Sequence, residues 1–243
     1  MNFDLIYEIY DLIYAKKDYE NESKHVLEHL KNNDGSSLLE YGIGSANHAQ
    51  FFKKEGYDIT GIEINEGMNQ VAISKGFKSI NDDMITYRST EEFDNSVALF
   101  HVFSYITERV SQELFFENLR FNLKKGSRFV FDTWFTPAVY NIKPSKRITT
   151  FENGKIKIIR NSSPKINLTN NTIEVNFNFN VHNILLNKKS SFEENHIMRH
   201  FSIDEIMRLS ESFGFKYLKS EEIITRNKPS LNTWSLLHII EKK

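Results

Sequence analysis

No cysteine occurs in the chain, which excludes a disulfide framework, a thiolate zinc site and a cysteine nucleophile together. A reducing compartment fits that absence. No apolar run approaches the ~20 residues that span a bilayer, and acidic Asp4, Glu8 and Asp11 stand where a secretory leader is basic. The expectation is a cytoplasmic protein with no membrane partner. Net charge is lacking too: 31 basic residues against 32 acidic ones leave -1, and the basic runs Lys53-Lys54, Lys124-Lys125 and Lys188-Lys189 stop at two. A nucleic acid would meet no summed positive field, so it is not the expected substrate. Metal-ligand spacings such as His-Glu-x-x-His are missing, and no metal site is expected. Repeats and low-complexity segments are absent as well.

What the chain has in quantity is aromatic, with 20 Phe and 10 Tyr available to fill a core or line a cleft. At 40% hydrophobic and 26% charged its composition is globular, enough for one domain with a small insert. Tyr7, Tyr10 and Tyr14 recur at helical spacing beside Ile6, Ile9 and Ile13, and a second helix is expected from about Asp18 to Lys31. Then short strands alternate with helices. Strands are expected at 37–41, 57–63, 77–81, 93–102 and 128–132, and helices at 46–55, 66–75 and 111–123, with a Lys-Lys-Gly-Ser turn at 124–127. That rhythm argues for an α/β fold, a parallel sheet with helices on both faces.

From about Pro144 the rhythm changes. Segments 149–160, 172–184 and 190–201 read as successive strands joined by polar turns, an antiparallel β insert. A helix at 203–213 and strands at 215–224 and 231–240 then return to the main sheet. The expected division is 1–143 for the N-terminal helices and main core, 144–200 for the insert, and 201–243 for the closing elements.

The chemistry-bearing motif is Glu40-Tyr41-Gly42-Ile43-Gly44-Ser45-Ala46, which follows a strand and opens a helix. Its glycines let the backbone approach a ligand that helix N–H groups face. Glu63 ends the next strand, 21 residues after Gly42, placed to accept both hydroxyls of a ribose. A dinucleotide fingerprint has the same parts, but its third glycine would fall at position 47, which is Asn. That departure disfavours a nicotinamide oxidoreductase.

At these residues the chain resembles the class I S-adenosylmethionine-dependent methyltransferases, whose first motif is an acidic residue followed by Gly-x-Gly and whose second strand ends in an acidic residue. Asn81-Asp82-Asp83-Met84 resembles the family's Gly-Asp-Met, and Phe100-His101-Val102-Phe103-Ser104-Tyr105 stands where the family contacts the methionyl group. The resemblance implies a Rossmann-like sheet and a cofactor site built from Glu40, Gly42, Gly44, Glu63, Ile64, Met68, Asp83, Met84 and Phe100.

Other segments resemble a narrower group, the N,N-dimethyltransferases of nucleotide-linked amino sugars. Tyr10-Asp11-Leu12-Ile13-Tyr14 and Lys17-Asp18-Tyr19 are similar to that group's N-terminal elements, which close over the cofactor. Trp134-Phe135 with Pro137 is similar to its aromatic pair, and Glu193-Glu194-Asn195-His196 with Arg199 and Phe201 to the segment leading out of its insert. The resemblance thus implies Tyr10, Tyr14 and Tyr19 at the cofactor, His196 and Tyr10 in catalysis, and Trp134, Phe135 and Arg199 at the acceptor.

Each of these has a plainer reading as well. Tyr10 and Tyr14 could cement a helix, Trp134 could be core, and His196 and Arg199, three apart on a strand, point to opposite faces. The expected acceptor is a nucleotide-linked amino sugar methylated on nitrogen; O-methylation of a surface-polysaccharide precursor is the alternative. Whether the protein acts as a homodimer stays open.

Overall fold

The computed structural model describes residues 3–31 and 36–243, with side chains from Ile9 onward; the side chains at 3–8, Tyr7 among them, lie outside the described residues. In chain order the first elements are α1 (Phe3–Tyr14), α2 (Tyr19–Leu27), β1 (Ser37–Tyr41), α3 (Ala49–Lys54), β2 (Asp58–Ile62), α4 (Glu66–Ser74), β3 (Lys78–Ile80) and β4 (Phe93–Ala98). A short 3₁₀ turn (Val102–Tyr105) leads to α5 (Arg109–Asn122), β5 (Leu123–Phe135) and α6 (Thr136–Ile142). After these come β6 (Arg147–Glu152), β7 (Ile156–Asn167), β8 (Thr172–Asn183), β9 (Lys188–Phe201), α7 (Ile203–Ser212), β10 (Phe215–Glu222) and β11 (Ser235–Lys242).

The chain divides into two compact units, one of Asp18–Ile142 with His200–Lys243, the other of Lys143–Arg199 with the chain up to Lys17. In the larger unit β3, β2, β1, β4 and β5 lie side by side and parallel, β11 runs antiparallel to β5, and β10 pairs with β11. This is an α/β fold of the Rossmann-like kind. Successive strand residues feed opposite faces. Leu38, Val97, Val130 and Leu237 pack with Val26, Phe52 and Ala72 of α2, α3 and α4 on one side. Leu39, Phe129, Phe131 and Ile240 pack with Phe115, Phe116, Ile206 and Leu209 of α5 and α7 on the other.

Phe103 is the hub of that second face, with ring centroids 5.2–5.7 Å from Phe115, Phe116, Phe131 and Phe201. Because Phe103 lies in the 3₁₀ turn directly after β4, its burial fixes where the chain goes at that strand's carboxyl end. The capping box of α7, Ser202 with Glu205, and the buried amides of α5 satisfy the polar groups this packing would otherwise strand. Asn118 donates to Ile85 O at 2.7 Å and Asn122 to the Tyr41 hydroxyl at 3.0 Å.

The smaller unit is an antiparallel meander of β6, β7, β8 and β9, with Ile9, Leu12 and Ile13 of α1 in one apolar cluster with Ile156, Ile158, Phe179 and Val181. The first helix therefore packs with the insert, whereas its place in the sequence puts it in the 1–143 block. An amphipathic stripe says that a helix needs an apolar partner, not which sheet supplies it.

Two local expectations also change. The run 149–160 is a hairpin, split because Asn153 Oδ1 accepts from the backbone N–H groups of Lys155 and Ile156 while Gly154 takes φ +78°. The 124–127 turn is an irregularity inside β5, where the register against β4 shifts between Phe93 and Asn95 and Gly126 takes φ +78°.

The packing of Phe103 yields a stability prediction. Phe103→Ala should lower unfolding free energy by about 3–5 kcal/mol, read from urea denaturation, because four rings lose their common neighbour. A loss below about 1 kcal/mol would show that the hub is dispensable.

Candidate active site

The carboxyl ends of β1, β2 and β4 converge on one edge of the larger unit, the edge where parallel α/β sheets bind ligands. Leaving β1, the backbone takes the left-handed region at Gly42 (φ +67°), Gly44 (φ +55°) and Ala46 (φ +62°). The N–H groups of Gly42 and Ile43 both donate to Ile62 O of β2, at 2.7 and 3.2 Å. The two glycines serve different purposes. A Cβ at position 42 would come within 2.6 Å of Val102 Cγ2, whereas at 44 it would meet nothing nearer than the Gly42 carbonyl at 4.0 Å. Gly42 is required by packing, and Gly44 by backbone conformation beside open space.

Glu63 follows β2 and ties the neighbouring turns together. Its Oε2 accepts from Gly44 N–H at 2.9 Å and its Oε1 from Asn65 N–H at 2.8 Å. Burial pushes its carboxyl up from the ordinary range, and those backbone donors partly offset the shift. Asn81, past β3, donates to the Glu63 and Ile64 carbonyls at 2.8 and 3.1 Å, which fixes the Asp83-Met84 turn against the Glu63 turn. Asp83 Oδ1 accepts from Ile85 N–H at 2.9 Å, and Met84 is half-buried against the aromatic core. Met68 is half-buried in α4, and Ile64 is 70% exposed.

Glu40 is 2% exposed, with one carboxyl oxygen lacking a hydrogen-bond partner among the described residues. Burial alone pushes its pKa up to about 8. On the far side of Gly42, the chain leaves β4 through two consecutive left-handed residues, Phe100 (φ +67°) and His101 (φ +63°). His101 N–H donates to Asp132 Oδ1 at 3.0 Å, and His101 Nδ1 lies 2.6 Å from Asp132 Oδ2. The His101 ring packs 5.8 Å from Trp134, whose own ring lies 6.1 Å from Trp234.

Gly42, Gly44, Glu40, Glu63, Ile64, Met68, Asp83, Met84, Phe100, Trp134, Phe135 and Tyr19 all belong to the larger unit. Tyr19 opens α2, its ring edge-on to His48 at 4.8 Å. Trp134 is half-buried and Phe135 buried; as strand neighbours they face opposite sides and so do not form one surface. Tyr10, Tyr14, His196 and Arg199 belong to the smaller unit. There the Tyr10 and Tyr14 rings lie 4.7 Å apart, and burial raises the Tyr14 pKa against the opposing pull of Arg160. His196 lies 3.2 Å from Glu194 and edge-on to Phe177, and Arg199 sits opposite Thr172.

Sequence reasoning missed the pairing of His101 with Asp132, whose only sequence signal is an acidic residue at the end of an apolar strand. It also missed Trp234 as a partner for Trp134. A third omission is the cluster of His25, His29 and Glu221, whose ligand atoms lie within 4.8 Å of one another. His25 and His29 sit four residues apart at the end of α2, and both Nε2 atoms reach Glu221 Oε1. Lys219 takes the other Glu221 oxygen at 2.8 Å.

A family model described as a methyltransferase domain matches residues 14–220. The chain belongs to the methyltransferase domain family. Its cofactor class is S-adenosylmethionine, which ends the nicotinamide alternative. The methyltransferase is similar to a dTDP-3-amino-3,4,6-trideoxy-alpha-D-glucopyranose N,N-dimethyltransferase from Streptomyces venezuelae, at 27% identity over 145 residues. That match covers 55% of the methyltransferase and 59% of the relative, so it spans about three fifths of the relative's length. In fold it is similar to an S-adenosylmethionine-dependent methyltransferase from Clostridium acetobutylicum, with TM-score 0.81 and 15% identity over 99% of this chain and 98% of that one. It is similar as well to an amino pentose methyltransferase from Micromonospora echinaspora, with TM-score 0.79 and 16% identity over 97% of each chain.

The pKa of Glu40 gives the site a pH signature. Its folded value is raised from 4.5 to about 8, so the stability it contributes is complete below pH 4.5 and is lost as pH rises through about 8. Glu40→Gln keeps a neutral amide in place, and its unfolding free energy should decline less than that of the wild type between pH 4.5 and 8. Parallel declines in urea titrations would show that the carboxyl is ionised in the fold.

Proposed function

We propose that the methyltransferase transfers a methyl group from S-adenosylmethionine to the amine of a nucleotide-linked amino sugar in the cytoplasm. The observation that carries the cofactor half is the Gly44–Glu63 arrangement, an open left-handed glycine whose N–H is held by an acidic side chain at the end of the next strand. Each Glu63 oxygen keeps a further lone pair, enough to accept from one ribose hydroxyl. The unpartnered Glu40 oxygen suits the cationic amine of the cofactor, and Asp83 and Met84 would meet its base. Ile64, Met68, Phe100 and Tyr19 of the larger unit are further proposed cofactor contacts, and the resemblance adds Tyr10 and Tyr14. When bound, S-adenosylmethionine supplies an electrophilic methyl group on a sulfonium.

For the acceptor, support comes from the amino-sugar enzymes among the similar proteins and from the half-buried Trp134 at the strand end. Trp134, Phe135 and Arg199 are the proposed acceptor contacts, and His196 and Tyr10 the proposed catalytic groups. Holding acceptor and methyl in line can lower the barrier by ~7–11 kcal/mol without a strong base. No metal is needed for this chemistry, and both oxygens of Glu221 in the His25–His29 cluster are already engaged.

Calorimetry with S-adenosylmethionine should give about ten-fold weaker binding for Glu63→Ala, since a charge-assisted pair of hydrogen bonds is worth ~1.5–3 kcal/mol. Unchanged affinity in a folded variant would remove Glu63 from the site. Radiolabelled methyl transfer to a dTDP-linked 3-amino sugar, but not to the same sugar with a hydroxyl at that carbon, is the expected acceptor pattern; the reverse preference would favour O-methylation. Exhaustive chelation should leave turnover unchanged, and a loss restored by added divalent cation would show a metal requirement.

A further inference from the structure

Resting on the methyl-transfer reading, we propose that His101 and Asp132 form the proton-accepting dyad of the reaction, and that the acceptor therefore binds with its proton still attached, as the ammonium of an amino sugar. Three independent features of the pair converge on this role.

The first is placement. His101 follows β4 and Asp132 lies near the end of β5, on the same edge as the glycine turn and Glu63, and Val102 fills the space over Gly42. The pair thus adjoins the turn that the cofactor reading uses.

The second is orientation. Asp132 is 2% exposed and directs both carboxylate oxygens at His101, one to the backbone N–H at 3.0 Å and one to Nδ1 at 2.6 Å. Nδ1 lies out of line for a full hydrogen bond to that oxygen, but a carboxylate this close favours the tautomer with the proton on Nδ1, which leaves the lone pair on Nε2. Nε2 lies 3.3 Å from the Ser235 hydroxyl, and the His101 side chain is 14% exposed. A buried carboxylate behind a histidine is the arrangement that fixes a tautomer and steadies the imidazolium once it forms.

The third is strain. Left-handed backbone is unfavourable for a non-glycine residue, and Phe100 and His101 adopt it in succession. A loop that only had to connect a strand to a helix would relax at one of the two. Here Asp132 on one side and the buried Phe103 on the other hold the histidine in that pose. The neighbouring His238 does not compete for the role. It is buried between Thr133 and Ser220, 2.9 and 2.6 Å away, and burial lowers its pKa to about 3, so it stays neutral.

The proton balance is simple. The acceptor ammonium gives one N–H proton to His101 Nε2, and the freed nitrogen pair forms the new N–C bond as the donor's C–S bond breaks, with that electron pair staying on sulfur as a neutral thioether. Asp132 offsets the imidazolium charge until the proton passes to water.

The test combines a wild-type measurement with two variants. NMR titration of the His101 ring in the cofactor-free protein gives its midpoint, with His238, Asp132 and Trp134 as the groups around it. The acidic limb of kcat/KM against pH, measured with a dTDP-linked 3-amino sugar, should follow that midpoint and stay put when the amine's own pKa is changed. In Asp132→Asn the kinetic limb should move by the same amount as the His101 midpoint read by NMR. His101→Asn, whose side chain tolerates left-handed backbone, should bind S-adenosylmethionine within about three-fold of wild type while turnover drops ~100-fold or more. A kinetic limb that tracks the amine, or His101→Asn turning over within three-fold of wild type, overturns the dyad and leaves methyl transfer standing. A wild type that neither binds S-adenosylmethionine nor methylates the amino sugar overturns both.

Discussion

The strand edge that carries the glycine turn depends on one backbone constraint: the chain must leave β1 and β4 through left-handed residues, in a space too small for a Cβ between them. Gly42 and Val102 meet there, so the turn after β1 and the turn after β4 are packed as one piece. Ile62 O holds the first through two N–H groups, Glu63 holds Gly44, and Asp132 holds His101. A substitution at Gly42 would therefore disturb the turns that carry Glu63 and His101 alike. The aromatic hub around Phe103 anchors this assembly to the core, which links the abundance of phenylalanine to the precision of the site.

The two units divide the candidate chemistry. In the larger one the glycine turn, Glu63 and the Asp83-Met84 turn form a connected network through Asn81. The smaller one gathers Tyr10, Tyr14, Arg160, Glu194 and His196 around its own apolar cluster. Such a division suits an enzyme class in which the methyl donor stays constant and acceptors differ, because the meander can vary without altering the strands of the larger unit.

The meeting of the glycine turn with Glu63 was legible in the sequence because its signals are local. Glu40, Gly42 and Gly44 fall within five positions, and Glu63 lies one strand-helix-strand repeat further on, so spacing alone brings them together. The family model agrees with the expected family, and the fold with the sheet that carries these residues. The rest was hidden for physical reasons. His101 and Asp132 meet only because β4 pairs with β5 in one register, with Ala98 opposite Phe131, and no short-range pattern encodes that choice. Trp234 reaches Trp134 through the antiparallel pairing of β11 with β5, which sequence spacing does not reveal. The Asn153-Gly154 turn was readable in principle, since Asn-Gly between apolar runs is a strong hairpin signal; the continuous β pattern on both sides masked it. The first helix joined the insert because its Ile9, Leu12 and Ile13 stripe found a complementary apolar face there.

The central claim is that the edge formed by the ends of β1, β2, β3 and β4 is where S-adenosylmethionine binds. Hydrogen–deuterium exchange of the whole chain with and without saturating S-adenosylmethionine tests it most directly, because it reads backbone protection without presuming an acceptor. The account predicts slowed exchange at residues 42–46, 63–65, 81–85 and 100–103. Protection confined to other segments, or none under conditions where calorimetry records binding, would contradict it.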